Sequence, residues 1–250
     1  MKTAWDYTTL ADAYLSRPDY SDSAIDELVA LAEVSRGARV CDVGAGVAHL
    51  TLKLAERGLK VSAVEPNDAM RAHGIRRCEA LPHVSWSEGV GEATGQPDHT
   101  FELVTFGSSF NVTDRAATLR ETQRILVPRG WFACMWNHRD LDDPIQSAIE
   151  AAIKARIPAY DYGTRREDQT AIIDASGLFG PVHRIEGSVF HTQTVDECID
   201  AWRSHATLQR QAGDAFAAVV EDIADVLAKT GKQTIQIPYT TRMWAARLLA

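Results

Sequence analysis

No stretch of the 250-residue chain gathers lysine and arginine into a stripe, and its formal net charge is −8. A nucleic-acid partner is therefore not suggested. No apolar run reaches the roughly 18 residues that mark a membrane span. The opening segment "MKTAWDYTTLADAY" lacks the apolar centre of a signal peptide. The four cysteines (Cys41, Cys78, Cys134 and Cys198) lie far apart and form no C-x-x-C. Zinc and a disulfide framework both drop out, and no His/Cys/Asp set has metal-ligand spacing. The expectation is a reduced, cytoplasmic protein without a metal. Internal repeats and low-complexity tracts are also missing. What is present is ordinary for a globular domain: 45% apolar and 24% charged residues.

The strand-like runs are Arg39–Val43, Lys60–Val64, Val84–Trp86, Glu102–Phe106 and Trp131–Trp136. Helical spacing occupies His49–Arg57, Asp68–Ala80 and Asp114–Leu126. A further helix, "SAIDELVALAEV", has Ser21, Asp22 or Ser23 as candidate caps. Alternation of this kind predicts a mostly parallel sheet with helices on both faces. The C-terminal part differs. "PVHRIEGSVFHTQT" and "KQTIQIPYTTRMWAARLL" read as long strands around a helical stretch, Val195–Lys229. The expectation is one α/β domain whose seven-stranded sheet has an antiparallel edge and a helical cap. Its parts are an N-terminal lid and helix (1–35), a cofactor-binding core (36–138), cap segments (139–180 and 195–230) and a final strand (231–250).

The informative stretch is "RVCDVGAGVAHLTLKLAERGLKVSAVEP", Arg39 to Pro66. A strand meets a glycine turn, a helix follows, and a second strand ends in an acid, Glu65. This is the plan of a nucleotide-binding βαβ unit. A P-loop needs Gly-Lys-Ser/Thr, which is missing. A dinucleotide fingerprint needs a third glycine where His49 stands; the histidine weighs against that reading without removing it. What remains is Asp42-x-Gly44-x-Gly46. The glycines let backbone approach a ligand. Asp42, before the turn, would repel a pyrophosphate but welcome a cation. Glu65 lies 21 residues after Gly44, where its carboxylate can accept from both ribose hydroxyls. A cationic adenosine compound such as S-adenosylmethionine satisfies all three features.

These residues resemble the class I S-adenosylmethionine-dependent methyltransferases, in the small-molecule branch that includes ubiquinone- and menaquinone-type enzymes. The resemblance covers most of the chain and is strongest from Arg39 to Trp136. It rests on "VCDVGAGVAHLTL", "AVEPNDAMR", "EGVGEATGQPDHTFELVTFGSSF" and "ILVPRGWFACMW". It implies a Rossmann-like fold and backbone contact to the cofactor at Gly44 and Gly46. It further implies ribose binding at Glu65, adenine contacts near Gly91 and Glu92, and the methionine part near Gly107. Three positions depart from the family pattern. Ala48 stands where a third glycine is common, Val90 where relatives carry an Asp, and Asn111 where many carry a histidine.

Methyl transfer needs an acceptor placed about 3 Å from the methyl group and shielded from water. Aromatic residues cluster where an acceptor would be held: Trp5, Tyr7, Tyr14, Trp136, Tyr160, Tyr162 and Trp202. Flat side chains suit a flat acceptor. Trp5 and Tyr7, on a polar N-terminal segment, are read as a lid, with Tyr7 touching the acceptor. Arg17 in "SRPDY" is a candidate for the cofactor carboxylate, with Tyr14 beside it. In "MWNHRD", His138 is the candidate general base. Asn111, Asn137 and Tyr239 are candidate acceptor contacts; His191 and His205 are weaker ones. The segment "WDYTTLADAY" and the overall size also resemble bacterial enzymes that N-methylate a pyrimidotriazine, as in toxoflavin formation. The leading expectation is N-methylation of a small planar nitrogen heterocycle in secondary metabolism. The alternatives are O-methylation of a phenol or carboxylic acid, a dinucleotide-dependent oxidoreductase, and a non-catalytic cofactor-binding module.

Overall fold

A computed structural model describes residue 8 and residues 11–249. Trp5 and Tyr7 lie outside the described residues. Two short N-terminal helices, α1 (Ala11–Tyr14) and α2 (Asp22–Leu31), lead into the sheet. Then β1 (Arg39–Val43), α3 (His49–Glu56), β2 (Lys60–Val64), α4 (Asp68–Arg77) and β3 (Val84–Ser87) follow in alternation. β4 (Phe101–Gly107), α5 (Arg115–Ile125) and β5 (Leu126–Arg139) complete the parallel part. The remainder is α6 (Pro144–Arg156), α7 (Thr170–Ala175), β6 (His183–Thr194), α8 (Val195–Arg203), α9 (Ala206–Ala212), α10 (Phe216–Ala228) and β7 (Thr234–Arg247).

The seven strands lie in the order β3-β2-β1-β4-β5-β7-β6. β7 runs antiparallel to both of its neighbours. It is slotted between β5 and the edge strand β6, so the antiparallel edge is this pair. β1 is buried over four of its five residues, as a central strand covered on both faces requires. One apolar cluster packs Ile25, Leu28, Leu50 and Leu54 of α2 and α3 against one face. Another packs Leu119 and Ile125 of α5 and Ile173 of α7 against the other.

Local chemistry sets the helix starts. The Asn67 and Asp114 side chains accept from Met70 N and Ala117 N at 3.0 Å each, capping α4 and α5. Asp143 caps α6, with Pro144 in its first turn. Thr194 and Glu197 form a capping box on α8. Ser21, a candidate cap of α2, makes no such bond. Its hydroxyl meets Ser23 and its N–H donates to Thr241 Oγ1 at 2.8 Å, tying α2 to β7. β5 carries a bulge near its start. Leu126 pairs with Phe101 and Trp131 with Leu103, so residues 127–130 loop out, with Arg129 at φ 64°.

The single helical stretch expected over Val195–Lys229 is three helices. It breaks at Ser204 and again at Gly213, where φ is positive. With α6 these helices form a separate apolar cluster around Ile149, Ile153, Trp202, Leu208 and Ile223. That cluster also takes in Ile235, Ile237 and Tyr239 of β7.

Candidate functional site

The glycine turn leaves β1 with Gly44 at φ 71° and Gly46 at φ 55°, a region that favours glycine. The two glycines are required for different reasons. A β-carbon on Gly44 would lie 2.4 Å from Ser109 Cβ. A β-carbon on Gly46 would meet no atom within 4 Å, so that face is open. Ala48 is held at φ 79°, a strained conformation worth about 1–2 kcal/mol for a residue with a β-carbon.

Glu65 follows β2 and is 6% exposed. Its Oε2 accepts from Gly46 N and its Oε1 from Asn67 N, each at 2.8 Å. These bonds aim the carboxylate and leave a further lone pair on each oxygen. Burial raises its pKa, opposed by the two backbone N–H groups. Asp42 is fully buried and accepts from Thr51 Oγ1 at 2.7 Å and Thr105 Oγ1 at 3.2 Å. Burial pushes its pKa up to about 6 against those hydroxyls.

The other wall comes from the end of β4 and the N-terminal segment. Ser109 Oγ donates to Val43 O at 2.6 Å, and Tyr20 Oη bonds Ser108 Oγ at 3.0 Å. A β-carbon on Gly107 would lie 2.9 Å from Tyr20 Oη, so this glycine admits the tyrosine. Residues 14–19 are fastened from several sides. His49 Nδ1 meets Asp19 Oδ1 at 2.7 Å and its Nε2 meets Tyr14 O at 2.8 Å. His191 Nε2 and Gln193 Nε2 donate to Ser16 O at 3.0 and 3.2 Å. Asn137 Nδ2 donates to Pro18 O and Asp19 O at 3.2 and 3.0 Å, and its Oδ1 accepts from Thr241 at 2.6 Å. The hydrogen bond from His49 holds the Asp19 pKa below its ordinary value.

Between these walls and the cap runs one cavity of about 750 Å³, within the range of about 300–1,000 Å³ for small-molecule sites. It is lined by Asp42, Gly44, Gly46, Glu65, Gly91, Glu92 and Gly107. Tyr14, Arg17, Asn111, Trp136, Asn137, His138 and Tyr239 line it too. Most of the described candidates from the sequence thus reach one space, though not all with free groups; Tyr160, Trp202 and His191 do not line it. The amide of Asn137 is engaged with the N-terminal segment and Thr241, so it is an anchor of that wall. Trp136 is a core residue, 2% exposed; its Nε1–H donates to Asn111 Oδ1 at 2.9 Å. Glu92 accepts from Asp114 N at 2.6 Å. The Arg17 guanidinium lies 4.5 Å from the Tyr14 ring centroid. His138 is 5% exposed. His191 does not line the cavity and bonds Ser16 O; His205 lines it and caps α9 by accepting from Leu208 N at 3.1 Å.

Sequence reasoning missed Tyr20, Asn67, Ser109, Gln193, Arg139 and Arg166, all of which shape the site. A signal existed for Arg139, which follows His138 at the carboxyl end of β5. None existed for Arg166 in the cap. Among the described residues, no group of three or more His, Cys, Asp or Glu could hold a metal ion, and no helix is long and apolar enough to cross a membrane.

Comparison with known proteins agrees with this geometry. Residues 40–130 match a family model described as a methyltransferase domain. A protein of Mycobacterium tuberculosis named as an uncharacterized methyltransferase is 36% identical over 128 residues, 50% of this chain and 48% of that protein. The ubiquinone/menaquinone biosynthesis C-methyltransferase of Cronobacter sakazakii is 31% identical over 126 residues, 47% of this chain and 50% of that one. The chain thus spans about half the length of the curated relatives it matches. Among solved structures, the YcgJ protein of Bacillus subtilis superposes with a TM-score of 0.56 at 16% identity, covering 91% of this chain and 99% of that one. Phosphoethanolamine N-methyltransferase 2 of Haemonchus contortus, solved with S-adenosylhomocysteine, gives 0.55 at 14% identity, covering 96% and 57%. The fold is Rossmann-like, of the kind methyltransferases have.

Proposed function

We propose that this chain is an S-adenosylmethionine-dependent methyltransferase acting on a small planar molecule. The observation that carries the reading is the pairing of an open Gly46 face with a Glu65 carboxylate locked beside it. That is a cradle for a ribose, with backbone on one side and an acid aimed by two N–H donors on the other. Asp42, ionised above pH about 6, supplies negative charge beneath the turn and suits a cationic ligand. Gly91 and Glu92 border the adenine end, and Gly107 the methionine end. Tyr14 and Arg17 are placed to close over the methionine part, the guanidinium toward its carboxylate.

When bound, S-adenosylmethionine supplies an electrophilic methyl group on a sulfonium. The protein's own share is positioning and exclusion of water. The segment around Tyr14–Tyr20 covers the cavity and is held there by His49, Asn137, His191 and Gln193. The acceptor would lie against Asn111, Trp136 and Tyr239, with His138 within the same space as base. The leading acceptor is a nitrogen heterocycle of the toxoflavin type, which needs little or no base. The burial of His138 on the cavity wall favours a second reading, O-methylation of a phenol or carboxylic acid. Titration calorimetry with S-adenosylhomocysteine tests the cofactor. Micromolar or tighter binding, with NADH not binding, is the expected result; the reverse would sink the reading. A pH–rate profile with an acidic limb that vanishes in His138→Gln would favour the O-methylation reading.

A further inference from the structure

The cavity's acidic lining residues sit at the glycine-turn side: Asp42 within β1, Glu65 after β2 and Glu92 after β3. Its arginines are Arg17 on the N-terminal segment and, on the cap side, Arg139, Arg166 and Arg210. Arg139 stacks its guanidinium 4.0 Å from the Trp202 ring centroid and 5.8 Å from that of Tyr239, and its Nε donates to Tyr239 Oη at 3.0 Å. Arg166 lies 3.9 Å from the Tyr162 ring centroid and donates one N–H to Arg139 O at 3.1 Å. The Arg166 guanidinium is thus fastened to the backbone of Arg139, and both guanidiniums lie against aromatic faces.

Among the described residues, no carboxylate makes an ion pair with Arg139 or Arg166. Glu150, Asp161 and Glu167 share an outer groove with Arg166; the Glu150 charge reaches it, but Glu150 is paired with Lys154 at 2.6 Å. Both arginines are partly buried. A charge withdrawn from water without a partner is costly, and burial holds the Arg166 pKa below its ordinary value. Each guanidinium has five N–H donors; among the described residues, Arg139 makes one hydrogen bond and Arg166 one. Stacking fixes their planes and leaves edge donors, the geometry that binds a carboxylate or phosphate in bidentate fashion.

We propose that the methyl acceptor carries an anionic group, a carboxylate or a phosphate, bound by Arg139 and Arg166 at the cap end, while its planar body rests on Tyr162 and Tyr239. This rests on the methyl-transfer reading above. It narrows the acceptor to an anion held by one end, with the opposite end directed along the cavity toward the cofactor side.

The test uses the full-length chain, with and without saturating S-adenosylhomocysteine, and three probes: benzoate, phenyl phosphate and benzyl alcohol. Ligand-observed NMR or calorimetry reads their affinities. At least one anion should bind about tenfold or more tighter than the neutral alcohol. Arg166→Gln should abolish that preference, and Arg139→Lys should weaken it, with S-adenosylhomocysteine affinity unchanged in both. Arg203→Gln, at an exposed arginine paired with Asp200, serves as the control and should change nothing. Preference for benzoate marks a carboxylate site and preference for phenyl phosphate a phosphate site. Equal binding of the alcohol, or anion binding indifferent to Arg166→Gln in a folded protein, would overturn the proposal. If S-adenosylhomocysteine does not bind but the anions still depend on Arg166, the cofactor reading falls and the anion site stands.

Discussion

The N–H of Gly46 donates to Glu65 Oε2 at 2.8 Å, joining the turn after β1 to the acid after β2. Asn67 N takes the other oxygen at the same distance. One carboxylate therefore shapes the loop and faces the cavity at once. Glu65→Gln should separate charge from shape. Its amide would present N–H to one backbone N–H and leave that donor unsatisfied. A loss of about 1–3 kcal/mol in S-adenosylhomocysteine binding is expected, with a smaller fall in thermal stability. Unchanged affinity in a folded variant would remove Glu65 from the ribose site.

The two glycines of the turn should fail differently. Gly44→Ala drives a methyl into Ser109, 2.4 Å away. That variant should be destabilised by several kcal/mol or fail to fold, since backbone and a packed β-carbon cannot yield cheaply. Gly46→Ala meets open space and incurs only the strain of a positive φ, about 1–2 kcal/mol. It should fold, yet bind S-adenosylhomocysteine at least tenfold more weakly because the methyl enters the ligand's space. Thermal melts alongside calorimetry give the comparison; equal binding losses at equal stability would contradict it.

Asp42 makes a pH signature. Its folded pKa of about 6 stands above its ordinary 3.8. The native state therefore holds a proton that the unfolded chain releases at lower pH. The stabilising contribution is complete below about 4 and is lost as pH rises through about 6, of the order of 2–3 kcal/mol in total. Asp42→Asn should flatten that slope between pH 4 and 6 in urea unfolding. Cofactor affinity should move the other way, rising with pH through about 6 in the native protein as the counter-charge forms, and not in the variant.

The clasp between His49 and residues 14–19 can be released without touching the sheet. Its two acceptors, Asp19 Oδ1 and Tyr14 O, lie on opposite ring nitrogens. His49→Ala removes both bonds. Amide exchange in residues 14–20 should accelerate about fivefold, corresponding to roughly 1 kcal/mol of local opening, while global stability changes little. Exchange confined to its native rate would mean that Asn137, His191 and Gln193 hold the segment without His49.

Much of the cofactor side was legible in the sequence because it is local chemistry. The strand–glycine–helix turn and the acid after β2 depend on neighbours a few residues away. Their residue types are dictated by backbone angles and by orphan N–H groups. The mostly parallel sheet also followed from alternation, while the strand order is read only from the fold. The acceptor side was not legible for a physical reason: its parts meet across long stretches of chain. Asn137 reads as a free amide until it is seen to hold Pro18 and Asp19, 118–119 residues away. His49 reads only as a missing glycine until Tyr14 and Asp19 close on it. Arg166 looks like any surface arginine in the sequence, and Arg139 is marked only by following His138. Only tertiary packing decides that Arg166 bonds the Arg139 backbone and that both stack on aromatic rings without an ion pair among the described residues, because a charge's environment depends on everything the fold brings near it.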